Sequence, residues 1–305
     1  MNDAGLSTST SVPVFFPAGG DMLFGIMTLP QGRSNGYGVI VQPGLLTFHR
    51  NRVYGRLAER LASRGFSVLR FDNHGRGESS GTRESYHLDR PFVGDLEGAV
   101  RYLREQGVQR LILVGHCAQA RGALALAPRL TDVVGVVCAA VPVGDTSARL
   151  ARDLTAGDFI RRALHPRTLR RLLRPSLAQV YLRHLWAKGR MLSPAATNAS
   201  QGHGDGMNRD VLRQLEALAR QGTRVLFVFG KDDDYYLTQF QPAREGKLGR
   251  LLEENQELMH VKADIPGILH NFRSVTVQEG FLDVVDEWMG EILEGERKEL
   301  NGLAR

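Results

Sequence analysis

Cysteine is scarce: the 305 residues hold two, Cys117 and Cys138, which allow one bridge at most and rule out a disulfide-built scaffold. Both lie next to or within apolar runs that read as buried strands, so reduced thiols are expected. Zinc-type Cys/His spacing is missing, and no bound metal is expected. Gly115 to Gly122 lacks the Gly-Lys-Ser/Thr ending of a phosphate-binding loop, and the glycines of residues 75 to 81 do not precede a dinucleotide-type helix. No nucleotide cofactor is therefore expected. Long apolar runs are also missing. The stretch Val133 to Val143 falls well short of the roughly 20 residues that span a bilayer, so no integral membrane segment is expected. Residues 1 to 12 are rich in Ser and Thr, with neither the basic start nor the apolar stretch of a secretory signal. The expected location is the cytoplasm.

Charge is present but unevenly spread. The net charge is +6 overall, yet residues 151 to 190 carry ten Lys or Arg against two Asp, a net of +8, leaving −2 for the remainder. Within that segment Arg161, Arg162, Arg167, Arg170, Arg171 and Arg174 recur at helical spacings, which would gather several on one or two faces. Its aromatics are limited to Phe159, Tyr181 and Trp186, and nucleic acid is not an expected partner. A solvated helical surface and a patch that meets phosphates or acidic groups both fit the pattern.

Elsewhere short β-type runs alternate with helical stripes, the pattern of a mostly parallel sheet flanked by helices. Eight strands are predicted near Val14–Phe16, Met22–Thr28, Tyr37–Gln42, Ser67–Phe71, Arg110–Val114, Val133–Cys138, Arg224–Phe229 and Leu258–Lys262. Tyr54, Leu57, Ala58 and Leu61 form one helical core stripe before Gly65; Val277, Phe281, Val284, Trp288 and Ile292 form another. Strand signals stop between about 144 and 222. That stretch is predicted to be a helical cap inserted into a core made of residues 1–143 and 223–305.

The chemistry is concentrated where the apolar run Leu111-Ile-Leu-Val-Gly115 enters His116-Cys117-Ala118-Gln119 and a helix rich in Ala, Gly and Leu. A tight strand-to-helix turn forces its central side chain into an exposed, strained position beside free amides at the helix start. Cys117 holds that position, and a thiolate there would be a strong nucleophile.

The run Arg70-Phe-Asp72-Asn-His74-Gly75-Arg76-Gly77-Glu-Ser79 closely matches the turn Asp-x-Arg-Gly-x-Gly-x-Ser of the α/β-hydrolase superfamily, with His74 at the usual Arg. Together with the elbow around Cys117 it marks a chain that resembles that superfamily from about residue 14 to 294. Among its members the chain is most similar to serine-aminopeptidase-like and exosortase-associated hydrolases, in which cysteine can replace serine. The resemblance implies an eight-stranded α/β-hydrolase fold and a triad. The acid would be Asp233, three residues past the glycine of Val225-Leu-Phe-Val-Phe229-Gly230, with Asp232 and Asp234 as neighbouring alternatives. The base would be His270, in a His-Asn-Phe segment after the last strand. Ala118 and Leu45 would supply the oxyanion amides, and Gln119, His116 and Gly44 would line the substrate. Two departures stand out. Gln119 replaces the second glycine of the elbow, and Gln42-Pro43 replaces the common His-Gly before the oxyanion loop.

The implied activity is cleavage of an ester or thioester through a cysteinyl acyl-enzyme. Acyl transfer or cyclisation through the same thioester is an alternative, and a catalytically silent binding protein is another. A small acyl substrate is the expected partner, carried on coenzyme A or an acyl carrier protein if the cap arginines face the entrance.

Overall fold

The structure, a computed structural model, describes residues 9–30, 32–43, 52–83, 91–144 and 207–303, the last stretch with side chains to 295. Eight strands form one sheet: β1 (Ser11–Ala18), β2 (Asp21–Thr28), β3 (Tyr37–Gln42), β4 (Ser67–Phe71), β5 (Arg110–His116), β6 (Val133–Ala139), β7 (Arg224–Gly230) and β8 (Met259–Ile265). Their order is β1-β2-β4-β3-β5-β6-β7-β8. β1 and β2 pair antiparallel with each other, and β2 pairs antiparallel with β4; all later pairings are parallel. This is the α/β-hydrolase sheet expected from the sequence.

The strand positions follow burial. The inner strands β3, β5, β6 and β7 are buried almost throughout, as continuous apolar runs covered on both faces must be. The edge strand β1 alternates exposed and partly covered residues. One face is covered by α1 (Arg52–Ser63) and the C-terminal helix, Val275–Leu303, whose buried residues merge with those of β3, β5 and β7 into one core cluster. Tyr54, Leu57, Ala58 and Leu61 are fully buried, as their spacing predicts, and Gly65 ends α1 with φ 93°. In the C-terminal helix the phase shifts by one residue: Val285 is buried while Val284 is only partly covered. The other face carries α2 (Val93–Glu105) and α3 (Ala118–Leu126). Pro128 stands in the short 3-10 turn that follows α3.

The chain divides into one unit of residues 1–143 with 209–305 and a second of residues 144–208. Arg209–Arg220 forms a core helix, α4, that packs on α3 with Val211, Leu215 and Leu218 buried. A one-sided apolar stripe against α3 explains why this helix belongs to the core and not to the cap. Gly144 and Met207 meet in an antiparallel bridge. The cap arginines Arg161 to Arg174 lie outside the described residues. Among the described residues, no helix is long and apolar enough to cross a membrane.

Candidate active site

The elbow is built by close contact between β5 and α3. A side chain at Gly115 would bring its Cβ within 2.5 Å of Ala120 Cα and 2.6 Å of Ala120 N, so only glycine lets the helix fold back over the strand. Cys117 sits between them with φ 54° and ψ −123°, a strained conformation for a residue with a side chain. Its amide donates to the Ala139 carbonyl at 2.8 Å, and its carbonyl accepts from Ala120 at 3.1 Å. These bonds tie the strained residue to β6 on one side and to α3 on the other. The thiol is 8 % exposed.

At the C-terminal ends of β7 and β8 two loops converge on it. Gly230 closes β7 where a side chain would reach within 2.1 Å of the Gly267 carbonyl oxygen. Of the three consecutive aspartates, Asp232 and Asp234 are exposed and Asp233 is fully buried. Its Oδ2 accepts from the Gly230 amide at 2.7 Å and its Oδ1 from the His270 amide at 2.9 Å. The Leu269 amide adds to this set. The carboxylate therefore meets His270 first through its backbone, pinning the 3-10 turn Leu269–Asn271 that carries the imidazole. Burial raises the pKa of Asp233, while those three amides and the His270 ring oppose the rise.

His270 Nε2 lies 3.1 Å from Cys117 Sγ, within reach for proton exchange. The structure thus brings Cys117, Asp233 and His270 together from three separate loops. Burial pushes the thiol pKa up; hydrogen bonds from the Ala118 amide and the Tyr235 side chain pull it down, and the Asp233 charge pushes it up further. Burial is the larger effect, so the sulfur rests as a thiol and His270 must take its proton for attack to proceed.

The Ala118 amide acts on the Cys117 sulfur and lowers its pKa. Leu45 and Gly44 lie outside the described residues. His116 is buried behind the elbow, its ring against Tyr54, Phe272 and His270 at centroid distances of 6.2, 5.0 and 5.7 Å. Burial and the neighbouring His270 drive its pKa down to about 3, so it is a neutral packing group here. Gln119 is fully buried, and neither amide atom has a hydrogen-bond partner among the described residues. Its Oε1 lies 3.8 Å from where a Cβ on Gly122 would stand, and the Gln42 Oε1 lies 4.0 Å from the same point. These are ordinary contact distances, so the glutamine would also tolerate a Cβ at Gly122.

The matching turn after β4 is a structural clasp. Ser79 Oγ donates to the Asp72 carbonyl at 2.7 Å and accepts from the Phe24 amide at 2.9 Å. His74 bonds Asp95 through both its amide and Nδ1, each at 2.9 Å.

Sequence reasoning missed Tyr235. It follows the acid by two residues and turns its ring edge-on to His270, with centroids 5.2 Å apart and planes at 89°. The signal available was its position on the acid-bearing loop.

This geometry agrees with the comparison to known families, in which residues 39–264 match the profile of the alpha/beta hydrolase family. The chain belongs to that family. Among solved structures, the hydrolase is similar to the Pyrococcus furiosus esterase Pf2001, with 16% identity, TM-score 0.58 and 93% of each chain covered. It is also similar to a proline iminopeptidase of Mycobacterium smegmatis (17% identity, TM-score 0.56, covering 93% of this chain and 100% of that one). A thioesterase domain from the curacin biosynthetic pathway aligns at 16% identity and TM-score 0.51, covering 90% of this chain and 99% of that one. No curated protein matches the chain at a significant level.

Proposed function

We propose that this hydrolase cleaves ester or thioester bonds through a covalent intermediate on Cys117, with His270 as base and Asp233 as the acid that positions it. The 3.1 Å separation of His270 Nε2 and Cys117 Sγ carries the reading. Family membership and the esterase and thioesterase neighbours support acyl chemistry. In the first half-reaction His270 takes the thiol proton as sulfur attacks the acyl carbon, and the carbonyl electron pair moves onto oxygen. Ala118 and, from the loop after β3, Leu45 would donate to that oxyanion. Collapse expels the alcohol or thiol, which takes the proton back from His270. Water activated by His270 then frees the acid. An amine or thiol acceptor in place of water would turn the same thioester to acyl transfer.

An activity-based thioester probe tests the reading. Labelling is expected at Cys117 and is expected to vanish in His270→Ala; a probe adduct elsewhere, or labelling indifferent to His270, would sink it.

The acyl donor is proposed to be carried on coenzyme A or an acidic carrier protein, and the net charge of +8 over residues 151–190 supports this. Rising salt is expected to raise KM for a carrier-borne thioester and to leave a short uncharged thioester unaffected. Equal responses of the two substrates would remove the carrier from the proposal.

A further inference from the structure

Tyr235 owes its place to the local backbone. Directly after Asp233 the chain enters a π-helical turn, Tyr236–Phe240, with Tyr235 as its N-terminal flank. Such turns are uncommon and recur at functional sites. Phe240 is buried in the core and Tyr236 half-buried beside it, their rings packing on Phe229 at 4.8 and 5.4 Å. Tyr235 is left half-buried on the opposite side, against His270.

We infer that Tyr235 is a further catalytic residue, whose phenol donates a hydrogen bond to the Cys117 sulfur and holds it as the attacking thiolate. The inference rests on Cys117 being the nucleophile. Its basis is geometric: the Tyr235 ring stands perpendicular to the imidazole at 5.2 Å, and that imidazole touches the same sulfur at 3.1 Å. The Tyr235 side chain also pulls the Cys117 pKa down, the direction a donor to the sulfur would give.

The need for such a donor is physical. A serine hydroxyl is never ionised at rest, and its proton leaves only in concert with attack. A buried thiol can ionise earlier, provided donors surround the sulfur in place of water. Cys117 is buried, and the groups that act on its charge are few. Burial and the Asp233 charge disfavour the thiolate, while the Ala118 amide and the Tyr235 side chain favour it. Tyr54, fully buried beneath the elbow, also feels the sulfur charge, which raises its own pKa further, and His116 is neutral. Tyr235 keeps its proton throughout: the thiol proton passes to His270 and later to the leaving group, so the phenol contributes a dipole and no net transfer.

The test is iodoacetamide alkylation of the full-length protein across pH, with the adduct at Cys117 quantified by mass spectrometry. In Tyr235→Phe the ring and its contact with His270 are kept and only the donor is lost. The alkylation midpoint is expected to move up by about one pH unit, with a loss in kcat/KM of about tenfold near neutrality that is partly recovered at higher pH. Tyr236→Phe, whose ring packs on Phe229, is the control and is expected to match the parent protein. An unshifted midpoint in Tyr235→Phe overturns the role of Tyr235 while leaving Cys117 in place. Turnover undiminished in Cys117→Ala overturns the nucleophile and the tyrosine's role with it.

Discussion

Cys117→Ala is expected to lower turnover by about 10³-fold or more and to leave the fold intact. The residue is buried but stands on a turn at the head of α3, held by its backbone bonds to Ala139 and Ala120, which alanine preserves. Alanine removes only the sulfur, and loss of one small buried group costs about 1 kcal/mol. The thermal midpoint by circular dichroism should therefore stay within a few degrees of the parent value while hydrolysis of a thioester disappears. Cys117→Ser is expected to retain weak activity. The shorter C–O bond draws the nucleophile back from His270, and a hydroxyl is far harder to deprotonate than a thiol. Full turnover in the alanine variant would end the covalent mechanism.

Asp233→Asn is expected to reduce kcat by about 10²-fold or more, a larger loss than at either neighbouring aspartate. Both carboxylate oxygens accept backbone N–H groups, from Gly230 and from His270. A carboxamide can keep only one acceptor and must turn its NH₂ toward the other amide, so either the β7 turn or the His270 turn loosens. Stability moves in the opposite sense on one count. Burial raises the folded-state pKa of Asp233, so its contribution to stability is greatest below the unfolded pKa and is lost as pH rises through the folded one. The neutral amide escapes that cost. A variant of near-normal thermal stability with low kcat would separate positioning of the base from folding. Asp232→Asn and Asp234→Asn alter exposed side chains and are expected to stay within a few-fold of the parent. If either loses more than Asp233→Asn does, the acid has been assigned to the wrong aspartate.

Much of this was legible in the linear chain, because period and punctuation are local properties. All eight strands were predicted from apolar runs bounded by turns, and the elbow from Gly115 followed by a small-residue helix. Where local pattern met an external constraint, reading failed. The helix Arg209–Arg220 has an amphipathic stripe as clear as any, but nothing in it says whether that stripe faces a cap or α3. The one-residue phase shift from Val284 to Val285 is likewise set by the neighbours against which the C-terminal helix packs.

By itself the sequence determined the sheet and the strand-to-helix turn that carries Cys117, since each is written in apolar runs with their own turn residues, while Asp233 and His270 were marked by resemblance to the hydrolase family. Only the tertiary structure set Asp233 apart from its two exposed neighbours, by burying it under the His270 turn. It alone turned His116 and Gln119 into the interior and set the Tyr235 ring against His270. Those outcomes depend on distances between loops that lie more than a hundred residues apart in the chain, from Cys117 to Asp233 and His270, and no local preference encodes such distances.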